Sequence, residues 1–238
     1  MKKNKKVIVP IVVILAVVIL IIIIVLIKKN ADNSKVNMAV SVGASDAKAQ
    51  VYSATKTPTL KDDDKIFGSK DAAVKIFVYE DSDSNYSAKL ADTLDKIYSE
   101  KSGDIAIIVR PFITTGSLNS KAGALAVECA GDQNKWIAMR ALLFSKAKNG
   151  GLNLGKLNEY ATQVGLDENA FSACLTNQTK SAKIEGLSSE AEGYDVIGAP
   201  TIFIGDELII GARPYEDYVD SSGDKIEGLK TIVDRKLK

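Results

Sequence analysis

The apolar pattern divides the chain into three parts. Val7 to Ile27 is an unbroken run rich in Ile, Val and Leu, with no polar face at any period. A helix over this run rises about 1.5 Å per residue and matches a hydrocarbon core of roughly 30 Å. Pro10 lies near one end, where a helix tolerates it. Residues 31–61 hold no sustained period, because Asn33-Ser34, Gly43-Ala44-Ser45 and Thr57-Pro58-Thr59 interrupt it. From Asp62 onward, short apolar runs alternate with stretches of helical spacing.

Val74–Glu80 predicts a buried strand. Tyr86, Leu90, Leu94, Ile97 and Tyr98 then recur at helical spacing, with a stop at Ser102-Gly103. Ile105–Phe112 predicts a second strand, ended by Thr114-Thr115-Gly116. A helical block follows from about Ser120 to Tyr194. Thr201–Ile204 and Leu208–Ile210, separated by Gly205-Asp206-Glu207, predict a hairpin. Ile226, Leu229, Ile232, Val233 and Leu237 predict a closing amphipathic helix. The order β-α-β, helical insertion, β-β-α predicts an α/β domain with a mixed sheet and helices on both faces.

Charge gives the first part a direction. Lys2, Lys3, Lys5 and Lys6 precede the apolar run, and Lys28 and Lys29 follow it. The positive excess on the N-terminal side predicts a cytoplasmic N-terminus with the rest outside. A cleaved signal peptide is the alternative. Its apolar core is usually about 7–15 residues, shorter than this run. The run also ends in Lys28-Lys29-Asn30 instead of small residues, which favours an uncleaved anchor. The expected organisation is a lysine-rich end and transmembrane signal-anchor over 1–30, and a flexible linker over 31–61. A folded domain follows over 62–238, with its helical insertion at about 117–195.

Net charge is +1, so no strong field points to nucleic acid. The sequence has no histidine, which removes the usual imidazole base and the commonest metal ligand. Cys129 and Cys174 are too few for a zinc site of the usual kind and too far apart for a C-x-x-C pair. They read either as buried free thiols or as a pair.

Four stretches carry a resemblance. Asp81 is followed by Ser84-Asn85-Tyr86-Ser87. Glu128-Cys129-Ala130-Gly131-Asp132-Gln133 leads into Lys135-Trp136 and Leu142-Leu143-Phe144. Leu166-Asp167 is followed by Phe171 and Cys174-Leu175. Gly198-Ala199-Pro200-Thr201-Ile202-Phe203-Ile204 precedes Gly211-Ala212 and Pro214-Tyr215-Glu216. In this order and at these separations, the part from Asp62 to the C-terminus resembles the DsbA-like thioredoxin-fold family of extracytoplasmic thiol–disulfide oxidoreductases. The resemblance implies a thioredoxin-like fold with an inserted helical subdomain and a cis-proline at Pro200. It also implies a bridge between Cys129 and Cys174 across the helical insert. No cofactor is implied.

The departures bear on function. The family's C-P-Y-C falls on Ser84-Asn85-Tyr86-Ser87, where only the tyrosine is kept. An aromatic residue of the family is replaced by Ser82. The family's nucleophilic cysteine falls on Ser84 and its resolving cysteine on Ser87. A hydroxyl forms no disulfide, so thiol exchange at this site is lost. Ser84 fits a helix N-cap. As a nucleophile it would need a base, and Lys89 falls on the exposed side of its helix. Glu80, Asp81 and Asp83 suggest a metal site only if adjacent carboxylates converge, and on a strand end they are expected to face water or different sides.

The resemblance further implies that backbone beside Pro200, with Ala199 and Thr201, pairs with extended polypeptide through main-chain groups alone. The expected function is therefore a membrane-anchored, redox-inactive domain that binds polypeptide or an envelope partner protein at the former active-site face. Two alternatives stand beside it: thiol–disulfide exchange using Cys129 and Cys174, and a structural assembly subunit.

Overall fold

The computed structural model describes residues 51–114 and 117–238. The apolar run at 7–27 and the first part of the expected linker lie outside the described residues. Among the described residues, no helix is long and apolar enough to cross a membrane.

A six-stranded mixed sheet organises the domain. Its strands are β1 (Val51–Ser53), β2 (Lys65–Phe67), β3 (Val74–Glu80), β4 (Ile105–Pro111), β5 (Thr201–Ile204) and β6 (Glu207–Ile210), in the order β1-β6-β5-β3-β4-β2. β3 runs parallel to β4 and antiparallel to β5, with Tyr79 opposite Thr201. The C-terminal ends of β3 and β4 and the start of β5 thus meet at one end of the sheet. The β3–β4 crossover is helix α1 (Asn85–Lys101), as a parallel pair requires. β3 is buried on both faces, which is why it reads as a continuous apolar run and not as an alternation.

One face of the sheet packs Ile76, Val78 and Ile107 against Leu90, Leu94 and Ile97 of α1. Leu229, Ile232 and Val233 of the last helix, α7 (Leu229–Lys236), complete that layer. The other face packs Phe77, Tyr79, Ile108 and Phe203 against Ala191, Val196 and Leu60. The insertion between β4 and β5 consists of α2 (Leu118–Gly131), α3 (Trp136–Lys148), α4 (Leu157–Gln163), α5 (Glu168–Asn177) and α6 (Ser181–Glu192), and it has a core of its own around Met139, Leu143 and Phe171. Trp136 packs against both this core and the sheet's, edge-on to Phe67 at 4.8 Å.

The expected linker boundary at 61 shifts toward the N-terminus. β1 pairs with β6, Pro58 is buried and Leu60 packs into the core. The attachment is polar as well as apolar. Arg110, fully buried on β4, donates to the Thr59 carbonyl at 2.5 Å and clasps both Asp64 oxygens at 2.9 and 2.8 Å. A buried guanidinium must find such partners.

The final helix begins at Leu229, three residues later than its apolar spacing suggests. Ile226 lies instead in a small hairpin of β7 (Tyr218–Val219) and β8 (Lys225–Ile226). Asp217 then fixes the helix start by accepting from the Gly228 N–H at 2.8 Å and the Thr231 hydroxyl at 2.7 Å. A β-carbon on Gly228 would lie 2.4 Å from the Tyr215 carbonyl oxygen, so only glycine fits there.

Candidate functional site

The sheet end where β3, β4 and β5 converge gathers the residues singled out by sequence. Ser84 is the N-cap of α1, and its hydroxyl oxygen accepts from the Ser87 N–H at 3.2 Å. The same hydroxyl donates to the Ala199 carbonyl at 3.5 Å. The Ala199–Pro200 peptide bond is cis. The serine turn and the cis-proline loop are thus neighbours, although 115 residues separate Ser84 from Ala199. Thr201 is buried, and its hydroxyl donates to the Gly198 carbonyl at 2.7 Å.

Ser87 faces inward. It is buried in the first turn of α1, and its hydroxyl oxygen accepts from the Asp81 N–H at 3.2 Å. Asn85 and Tyr86 face solvent, Tyr86 being 63% exposed with the Lys89 ammonium 5.5 Å from its ring centre.

Beneath the turn lie two adjacent carboxylates, expected to face water or different sides. Both are buried, Glu80 at 7% exposure and Asp81 at 4%. Glu80 forms a two-pronged pair with Arg140 of α3, both contacts at 2.7 Å. Burial opposes the Arg140 charge, but the facing Glu80 carboxylate outweighs it and the guanidinium pKa is raised. Asp81 accepts from the Asp83 N–H at 2.9 Å, the Thr114 hydroxyl at 2.6 Å and the Ser120 hydroxyl at 2.5 Å. It ties the end of β3 to the loop after β4 and to the first turn of α2. Of the two expected arrangements, water or different sides, the carboxylates take the second, because their partners come from distant and different segments. Every Asp81 oxygen is already engaged, so the residue is a structural hub. Among the described residues, no three His, Cys, Asp or Glu side chains group as a metal site would require.

Ser82 packs on Gly123 of α2. A β-carbon on Gly123 would lie 2.6 Å from that of Ser82. The insertion helix therefore passes close to the turn, and both partners are small.

Apolar side chains are exposed on the segments that lead into this turn. Tyr86 follows the serine cap, Leu118 opens α2 and is 87% exposed, and Ile197 precedes the cis-proline loop and is 39% exposed. Sequence reasoning did not single out Leu118 or Ile197. The available signal was an apolar residue directly after a cap serine (Ser117) and directly before the Gly198-Ala199-Pro200 turn. Among the described residues, no hydrogen bond engages the Ala199 N–H.

Cys129 and Cys174 are joined in a disulfide, with a Cα–Cα distance of 5.9 Å. The bond links α2 to α5, inside the helical insertion. Cys129 is buried, and it lies roughly 16 Å along α2 from the site end of that helix.

The thioredoxin family profile matches residues 60–221. The chain belongs to the thioredoxin family. Its fold is the DsbA-like one, shared with several solved structures at low sequence identity. BdbD from Bacillus subtilis, in oxidised form, superposes with a TM-score of 0.61 at 19% identity, covering 72% of this chain and 91% of that one. The alpha-DsbA1 protein of Wolbachia pipientis gives 0.58 at 18% identity, covering 75% and 92%. The catalytic domain of Proteus mirabilis ScsC gives 0.58 at 22% identity, covering 73% and 89%. No curated protein matches the chain in sequence. The family's chemistry is thiol–disulfide exchange, and in this chain the turn that opens α1 carries serine at 84 and 87.

Proposed function

We propose that this thioredoxin-family chain is a membrane-anchored, extracytoplasmic domain that holds extended or partly folded polypeptide without exchanging disulfides. The observation that carries the reading is the juxtaposition at the sheet end. A cis-proline loop whose Ala199 N–H has no hydrogen bond among the described residues lies against a serine N-cap, and Tyr86, Leu118 and Ile197 are exposed on the segments that lead into it. Main-chain pairing and apolar contact bind a peptide without sulfur. The sequence pattern of residues 1–30 supports the anchor.

Exchange through Cys129 and Cys174 is disfavoured by their setting. Each lies near the C-terminal end of its helix, where the helix dipole opposes a thiolate. Cys129 is also buried beyond the reach of a substrate.

The test uses the full chain in detergent micelles. Insulin reduction and reduced-ribonuclease oxidation should proceed no faster than with a variant lacking both cysteines. A labelled unfolded peptide should bind, and Leu118→Glu with Ile197→Glu should weaken it about 10-fold, a change worth roughly 1.4 kcal/mol. Turnover above the cysteine-free control, or peptide binding indifferent to Leu118 and Ile197, overturns the reading.

A further inference from the structure

Three arginines are buried among the described residues: Arg110, Arg140 and Arg213. Two of them use the guanidinium in the same way. Arg110 sends Nε and Nη2 to the two oxygens of Asp64, and Arg140 sends Nε and Nη2 to the two oxygens of Glu80. This side-on fork matches a carboxylate in both spacing and charge. Arg213 is only 1% exposed, and its Nη1 donates to the Glu227 carbonyl at 3.1 Å. Its Nε and Nη2, the same fork, are buried without a partner among the described residues.

The nearby acids are committed elsewhere. The Glu227 carboxylate pairs with Arg235 at 2.8 Å. Asp217 holds the start of α7 and lies 3.8 Å from Lys225. Tyr218, on the small β7–β8 hairpin, is the other polar group whose charge acts on Arg213. Burial lowers the Arg213 pKa, and the Tyr218 and Glu227 charges do not outweigh it as the Glu80 carboxylate does for Arg140. A buried cation with two orphaned N–H groups is a costly arrangement unless something fills the fork.

We propose that the Nε/Nη2 fork of Arg213 is a binding site for a small monovalent anion, of halide or formate size, enclosed beneath the β7–β8 hairpin. Each strand of that hairpin is two residues long and joins the other through a turn at 220–224. Opening of this short hairpin is the entry route that the proposal requires. The site adjoins the proposed binding face, because Gly211, two residues before Arg213, donates to the Pro200 carbonyl at 2.8 Å. An anion in the fork would fix the segment that supports the cis-proline loop.

The test follows thermal unfolding of the full chain in detergent. Sodium chloride or sodium formate replaces sodium gluconate at constant ionic strength. The midpoint should rise and saturate, by about 5 °C once the anion exceeds its dissociation constant roughly 100-fold. Arg213→Lys keeps the charge but loses the planar fork, and its midpoint should not respond. Should that variant fail to fold, bromide soaked into crystals of the wild-type chain should appear by anomalous scattering within hydrogen-bonding distance of Nε and Nη2. A wild-type midpoint that ignores both anions means water alone fills the fork and overturns the proposal. An equal rise in Arg213→Lys, or bromide found only elsewhere, also overturns it. A response to one anion and not the other supports the site and assigns it to halide or to carboxylate.

Discussion

The turn at Ser84–Ser87 and the bridge at Cys129–Cys174 use Group 16 side chains for opposite purposes. At the turn, oxygen stands at a helix N-terminus, where the dipole would favour a thiolate. In the insertion, sulfur stands near two helix C-termini, where the dipole works against one. Sulfur thus stands in a disulfide where the dipole opposes a thiolate, and hydroxyls stand where the dipole would favour one. Much of the frame that would hold a reactive pair is present at the turn without the sulfur. The cap, the cis-proline and the buried Asp81 hub remain in place.

The largest effect should come from placing sulfur there. Ser84→Cys with Ser87→Cys should convert a chain without exchange at this site into one that oxidises reduced ribonuclease. The thiol introduced at position 84 should titrate below the free value of about 8.5, as measured by the ultraviolet absorbance of its thiolate. A pair that neither closes nor exchanges would show that the surroundings have changed as well as the atoms.

Next come the buried supports. Glu80→Ala leaves the Arg140 charge buried and unpaired, which should cost about 3–5 kcal/mol in urea unfolding. Replacing Cys129 and Cys174 by alanine frees a loop with a sequence separation of 45, and should cost about 2–4 kcal/mol. The two losses differ in location. The first should disturb the site, because Glu80 adjoins Asp81. The second should leave peptide binding intact, because it loosens only the insertion. Binding lost in both variants would mean that the insertion and the site are one unit.

How far the sequence reveals this arrangement depends on the range of each interaction. β3, α1, β4 and the β5–β6 hairpin are legible because each has its own period or turn. β1, β2, β7 and β8 have two or three residues each, too few to show a period. The linker boundary is misjudged because Thr59 owes its order to Arg110, 51 residues away. Glu80 and Asp81 leave two arrangements open in sequence for the same reason, with partners 60, 33 and 39 residues distant. The serine positions and the cis-proline are legible only through the resemblance. Arg213 is not legible at all, since an unpaired fork leaves no mark in sequence.

A smaller effect separates the insertion from the site by pH. Glu190 of α6 ties the insertion to the back of the sheet through Lys61, Tyr194 and Arg110. Burial raises its pKa, but the hydrogen bonds from Lys61 and Tyr194 and the Arg110 charge outweigh that and leave it below 4.5. A depressed carboxyl stabilises the fold fully above its unfolded value. That contribution fades as pH falls through the folded value, because the unfolded chain takes up the proton first. The unfolding midpoint should therefore fall below about pH 4.5, and Glu190→Gln should flatten that slope. An unchanged slope would place the acid-labile contacts elsewhere.

The smallest effects test the two serines against each other. Ser84→Ala removes a cap from a partly exposed helix end and should cost about 1 kcal/mol, whereas Ser84→Gly should cost only about 0.3 kcal/mol. Ser87→Ala removes the buried acceptor of the Asp81 N–H and should cost somewhat more, about 1–3 kcal/mol. The order Ser87 above Ser84 follows from burial alone. A nucleophilic Ser84 would give a different pattern. Its alanine variant would lose an activity while barely changing stability, and glycine would be no milder. The Ser84 hydroxyl donates to a carbonyl and not to a base, so the stability order is the expected result. Peptide affinity in both variants should stay within about twofold, since the proposed contacts use main-chain groups near Pro200. A tenfold loss on Ser84→Ala alone would move the hydroxyl from the cap into the binding surface.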